Sequence, residues 1–124
     1  MIKEVDGNFV QQSLTEYRKG IGQLHHQLPD VADAYNAFTE ACFKDGALSR
    51  KEKHLIALGL SVFTNDEYSI VYHTKGAVDQ GATAREILEA ACVSGAFGGG
   101  LAMSQVATLV QQTLAQIQTR EINH

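Results

Sequence analysis

The sequence predicts an all-α domain of about six helices, and three observations support this. Apolar residues recur at three-to-four spacing along most of the chain. No run of alternating β-branched residues marks a strand. Two S/T-x-x-E pairs, Ser49 with Glu52 and Thr83 with Glu86, stand just ahead of apolar runs, where a capping box starts a helix.

The first helix covers about residues 9–26, with Phe9, Leu14, Tyr17, Ile21 and Leu24 at helical spacing and Gly20 as a weak point. Leu28-Pro29-Asp30 breaks the chain at its single proline. Asp30 is placed to cap a second helix through about Lys44, carrying Val31, Ala34, Tyr35, Phe38, Ala41 and Cys42. KDGALS then makes a turn. The third helix runs from the Ser49–Glu52 box to about Phe63. After His54 it is apolar nearly all round, which predicts a central, buried helix. Thr64 or Asn65 caps a fourth helix, whose first turn holds Asp66 and Glu67, where the helix dipole favours acids. It ends near Gln80 and Gly81, a glycine suited to the residue after a helix. The Thr83–Glu86 box opens a fifth helix to about Val93. The glycine-rich stretch SGAFGGG leads into a last helix over about 101–119, striped with Met103, Val106, Val110, Leu114 and Ile117.

The 124 residues fit one domain, 1–124, with no linker or internal repeat. Charged residues make up 19%, below the ~25% of an average soluble domain, which points to surface covered by a partner subunit. The net charge of −4 and the lack of any Lys/Arg cluster argue against nucleic acid and anionic membranes as partners. Residues 90–119 carry no charge, a length that could span a bilayer. Their four glycines and five glutamines would be costly in lipid, so a helix buried between subunits fits better. The opening MIKEVDGNFV has acids where a signal peptide needs an apolar run, so a cytoplasmic protein is expected. Cys42 and Cys92 are far apart and form no CxxC or Cys/His spacing, so no metal site is expected and both read as small buried hydrophobes. His25 and His26 point to different helix faces, so a shared metal there is not expected either.

The chemistry concentrates at residues 52–73. Asp66, Ser69 and His73 share one face of the fourth helix at i, i+3, i+7, with Tyr68 and Tyr72 on a neighbouring stripe that reads as core or interface aromatics. A very short turn sends this helix back along the third, so Glu52 and His73 fall at similar depth. A carboxylate beside an imidazole would make a proton-transfer pair. Glu52 equally suits its capping box, Asp66 the helix dipole, and Ser69 a filler role. Glycines 98–100 fit either an anion cradle or close helix packing.

The order Glu52, LIALGLSV at 55–62, a short polar segment, His73, Ala77, Gly81 and EILEA at 86–90, then a glycine stretch before the last helix, resembles the carboxymuconolactone decarboxylase and alkylhydroperoxidase D-like (AhpD-like) family over roughly residues 30–118. The resemblance implies an AhpD-like helical domain assembled as a homo-oligomer, a trimer or hexamer, with no cofactor. In the family's redox branch a CxxC precedes the histidine, and the matching positions here are Asp66 and Ser69. Disulfide chemistry requires thiolates, so CxxC-dependent peroxidase activity is disfavoured. The decarboxylase branch lacks the CxxC as well. Similarity to it implies a lyase doing acid–base work on a small organic acid or lactone, with His73, Glu52, Asp66 and Ser69 as the expected catalytic set. Two alternatives stand beside it: a non-catalytic oligomeric binding or scaffold member of the fold, and a peroxiredoxin-like antioxidant using Cys42 or Cys92.

Overall fold

The computed structural model of the protein describes residues 9–122, with side chains through Gln118. The MIKEVDGN stretch that underlies the cytoplasmic expectation therefore lies outside the described residues. In chain order the elements are α1 (Phe9–Gln27), α2 (Pro29–Phe43), α3 (Arg50–Phe63), α4 (Glu67–Asp79), α5 (Ala84–Val93), α6 (Gly95–Gln105), a π-helical turn (Val106–Val110) and α7 (Gln111–Ile122). No strand occurs among the described residues, and none of their helices is long and apolar enough to cross a membrane.

Local chemistry sets most of the boundaries. Both capping boxes form: the Ser49 side chain accepts from the Glu52 amide while the Glu52 carboxylate accepts from the Ser49 amide, and Thr83 with Glu86 does the same. Gly81 takes a φ of 92° after α4, as a helix-ending glycine should. Two caps differ from expectation. Asp30 falls inside the first turn of α2, because Pro29 takes the first helical position, where its missing N–H is not needed; Leu28 precedes it without a side-chain cap. Asp66, rather than Thr64 or Asn65, caps α4 by accepting from the Ser69 amide. Thr64 instead closes α3, and Asn65 turns the chain through a left-handed φ of 60°, which asparagine tolerates better than most residues.

The glycine stretch is itself helical. Helix α6 starts at Gly95 and is interrupted by a kink at Gly99 (φ 60°, ψ −140°), a conformation open to glycine alone. The core joins Leu58 and Val62 of α3, Ile70 of α4, Ile87 of α5 and Val110 of the π-helical turn, all fully buried. By contrast, α2 buries only Ala32. Helix α3 is not buried all round. It packs on α4, α5 and α6 along one face, while Ile56, Leu60 and Phe63 on the opposite face are 53%, 61% and 50% exposed. Cys42 and Cys92 are also exposed rather than core residues.

Candidate functional site

The tight turn at 64–66 lays α4 back against α3, and the face of α3 that meets it carries His54, Leu58, Ser61 and Val62. His54 stands one turn before Leu58, so its ring enters the same seam. The ring packs directly over the Gly76 backbone, where a Cβ would lie 2.6 Å from the imidazole Cε1. From there its Nδ1 lies 3.1 Å from the Nδ1 of His73 on α4. Phe43, at the end of α2, stacks on His73 with ring centres 5.5 Å apart and planes 11° from parallel, and Tyr72 meets the same ring edge-on.

Burial sets the charge state of this pair. His73 is pushed down to about 4, first by desolvation and then by the positive charge His54 would carry; Asp66 pulls weakly the other way. His54 is also lowered, by burial first and by the Arg50 guanidinium second, against an opposing pull from Asp79. Both rings are therefore neutral at pH 7, so one Nδ1 donates and the other accepts. Neither Nε2 has a hydrogen-bond partner among the described residues.

The pair opens on a cleft of about 400 Å³ between α1, α2, α3 and α4. Its walls combine the aromatic rings of Tyr17, Tyr35, Phe43, Tyr68 and Tyr72 with polar side chains, Arg50 being its cation and Glu40 its carboxylate. Arg50 donates to the Phe43 carbonyl at 3.4 Å and makes no ion pair with any described residue. Tyr17 is raised above its ordinary value by burial, then by Tyr35, Tyr72 and Asp66, so its hydroxyl stays protonated.

The carboxymuconolactone decarboxylase family model matches residues 29–112, which include both histidines and most of the cleft wall. The chain belongs to this family. Among relatives, it is 32% identical over 90 residues to an uncharacterized protein of the cox locus of Paracoccus denitrificans, covering 73% of this chain and 81% of the relative. An uncharacterized Cupriavidus necator protein is 30% identical over 87 residues, covering 70% and 77%. Among solved structures, a carboxymuconolactone decarboxylase family protein from Legionella pneumophila superposes with a TM-score of 0.82 at 24% identity, over 88% of this chain and 97% of that one. A candidate carboxymuconolactone decarboxylase from Burkholderia xenovorans gives 0.75 at 20% identity, over 96% and 99%. At these identities the two structures speak to the fold alone.

Within this family fold the expected catalytic set separates. His73 and Ser69 line the cleft. Asp66 is the α4 cap, accepts from the Ser69 hydroxyl at 2.7 Å, and reaches His73 only through its charge. The expected Glu52–His73 pair does not form. Glu52 is exposed, its carboxylate is taken by the Ser49 amide at 2.8 Å, and it does not line the cleft. The reason is angular: residues 52 and 54 lie about 200° apart around a helix, so a helix that turns His54 toward α4 turns Glu52 away. Tyr68 and Tyr72 line the cleft and are each 45% exposed, not core residues. Neither cysteine lines the cleft. His25 bonds Asp33 rather than a neighbouring histidine, and no group of three or more His, Cys, Asp or Glu among the described residues could hold a metal.

Sequence reasoning overlooked His54 and Phe43; Arg50 stood only as one of five cations near the motif, with Lys51, Lys53, Lys75 and Arg85. His54 carries a readable signal, since it continues the buried 58–62 stripe one turn back toward the N-terminus. The contact of Phe43 with His73 depends on how α2 packs and leaves no local mark.

Proposed function

We propose that this protein is an acid–base enzyme of decarboxylase or lactone type, acting on a small organic acid or lactone in the His54–His73 cleft. The observation that carries this reading is the Nδ1–Nδ1 hydrogen bond of 3.1 Å between two neutral imidazoles at the wall of a ligand-sized cavity. Arg50 binds a substrate carboxylate through its guanidinium fork. In a decarboxylation, the bond to the departing CO2 breaks and its electron pair passes into a conjugated carbonyl of the substrate. A proton then adds at carbon from the Nε2–H of His73. Water returns a proton to the same Nε2, and the hydroxide left behind is taken up by the CO2 as bicarbonate, while His54 holds His73 in this tautomer by donating its Nδ1–H to the His73 Nδ1, so both rings end as they began. Asp66 tunes His73 electrostatically, and Ser69 shapes the wall beside it.

The test is turnover of a panel of unsaturated lactone acids and β-activated carboxylic acids, read as CO2 release. A hit whose kcat falls at least ~100-fold in His73→Gln, with ligand binding by thermal shift retained, fits the reading. A hit unaffected by that substitution sinks it.

A non-catalytic oligomeric scaffold is the second reading, favoured by the exposed apolar strip of Ile56, Leu60, Phe63, Phe97 and Leu101. Both readings share a homo-oligomer, a trimer or hexamer, closed over that strip. They part on the panel: the scaffold reading expects no substrate and no ligand that stabilises the cleft.

A further inference from the structure

A second cleft of about 200 Å³ shares His54, Tyr72 and Arg50 with the first but is otherwise walled by Leu14 and Arg18 of α1, by Lys75, Gly76 and Asp79 of α4, and by Gln80. Its charged lining consists of three cations and one carboxylate, in a chain whose net charge is −4. The carboxylate is already engaged: Lys75 Nζ lies 3.0 and 2.9 Å from the two Asp79 oxygens. Arg18 makes no ion pair with any described residue, and the Arg50 guanidinium makes one hydrogen bond among the described residues, to a backbone carbonyl. Two guanidinium groups are thus available in one small cavity, and their planar forks match carboxylate and phosphate oxygens. The cavity suits an inorganic phosphate or a carboxylate of a few carbons.

We propose that this second cleft is a binding site for a small oxyanion, held by Arg18, Arg50 and Lys75 beside His54. Around His54 stand Arg50, His73 and Asp79, with Arg18 and Lys75 across the second cleft. A bound anion offsets the Arg50 charge that opposes protonation of His54, so occupancy makes His54 more basic and draws the shared proton of the imidazole pair toward it. The site shares Arg50 and His54 with the proposed substrate cleft, but its test substitutes only Arg18, Lys75 and Asp79, which line the second cleft and not the first, and it reads binding rather than turnover at His73.

The experiment follows the histidine ring resonances by long-range proton–nitrogen NMR while the full-length protein is titrated with inorganic phosphate, with acetate, and with sodium chloride at matched ionic strength. A saturable shift of the His54 signals with phosphate or acetate, absent with chloride, is expected, and the tighter of the two anions identifies the ligand chemistry. Affinity should fall at least tenfold in the double variant Arg18→Gln, Lys75→Gln. It should rise in Asp79→Asn, which frees Lys75 for the anion. Arg18 and Asp79 are exposed and Lys75 is half-buried, and circular dichroism checks that each variant is folded. An equal response to chloride, or an affinity unchanged in both variants, overturns the proposal.

Discussion

At the scale of the residue, the charge state of His73 has consequences for stability that can be measured. Its folded-state pKa of about 4 lies below the ~6.5 of an unfolded chain, so between those values the unfolded state binds more protons. The stability contributed by the neutral ring is complete above ~6.5 and is withdrawn as the pH falls toward 4. His54 shifts in the same direction. Glu52 and Glu86 act in a separate window. Their carboxylates are held below the ordinary 4.5 chiefly by the capping amides of Ser49 and Thr83, so their contribution is lost only as the pH falls through still lower values. The urea midpoint should therefore be flat from pH 7 to 8 and fall between ~6.5 and ~4, with a shallower fall in His73→Gln. Parallel curves for the two proteins would show that His73 is not held neutral by the fold. Glu52→Gln separates cap from catalyst at the same scale. It weakens one reciprocal hydrogen bond at the start of α3, so a small drop in Tm with kcat kept within about twofold is expected. A kcat falling in step with that of His73→Gln would restore the carboxylate partner that the register of α3 removes.

Between elements, the spacing of α3 and α4 decides whether the imidazole pair exists. Gly76 is where His54 leans on bare backbone, with a would-be Cβ 2.6 Å from Cε1 and 2.7 Å from Nδ1. Alanine there gains ~1 kcal/mol in helix propensity but forces a wedged ring to move, and overpacking of this kind costs ~1–3 kcal/mol. Gly76→Ala should thus be neutral to destabilising by up to ~2 kcal/mol in urea unfolding, and NMR should show the His54–His73 hydrogen bond lost and His73 titrating closer to its ordinary value. Gly20 is the control, because its Cβ would meet nothing within 4 Å. Gly20→Ala should stabilise by ~0.5–1 kcal/mol. These elements also mark where the sequence was readable. The capping boxes at Ser49 and Thr83 and the helix stop at Gly81 are complete within four residues, so local pattern reveals them. The side of α3 that faces α4 was equally written in Leu58, Ser61 and Val62, and stepping back from Leu58 reaches His54. Matching Glu52 to His73 by depth along the helix ignored rotation around it. The Gly99 kink, the π-helical turn and the Phe43–His73 stack arise from packing between distant segments, and no short pattern encodes them.

For the whole molecule, the uneven distribution of apolar surface is the remaining physical problem. Ile56, Leu60 and Phe63 fall at i, i+4 and i+7 on the outer face of α3. The Phe63 ring then lies against Gly98, which carries the strip onto α6, where Phe97 is 82% and Leu101 62% exposed. A single copy leaves this surface in water, although the same chain closes Leu58, Ile70 and Ile87 away completely. Contiguous apolar strips of this kind mark interfaces, and a stable one buries roughly 800 Å² on each partner. In the proposed homo-oligomer the low charged fraction read from the sequence would have the same origin, because a surface closed by another copy of the chain would not need charge for solubility. Leu60→Glu tests this directly. The side chain is exposed in one copy, so the variant should keep its helical circular dichroism while a buried, unpaired carboxylate at the interface drives the copies apart. Light scattering at micromolar concentration should then give a trimeric or hexameric mass for the natural sequence and a smaller mass for the variant. A monomeric natural protein, or a variant of unchanged mass, would mean that this strip faces something other than another copy of the chain.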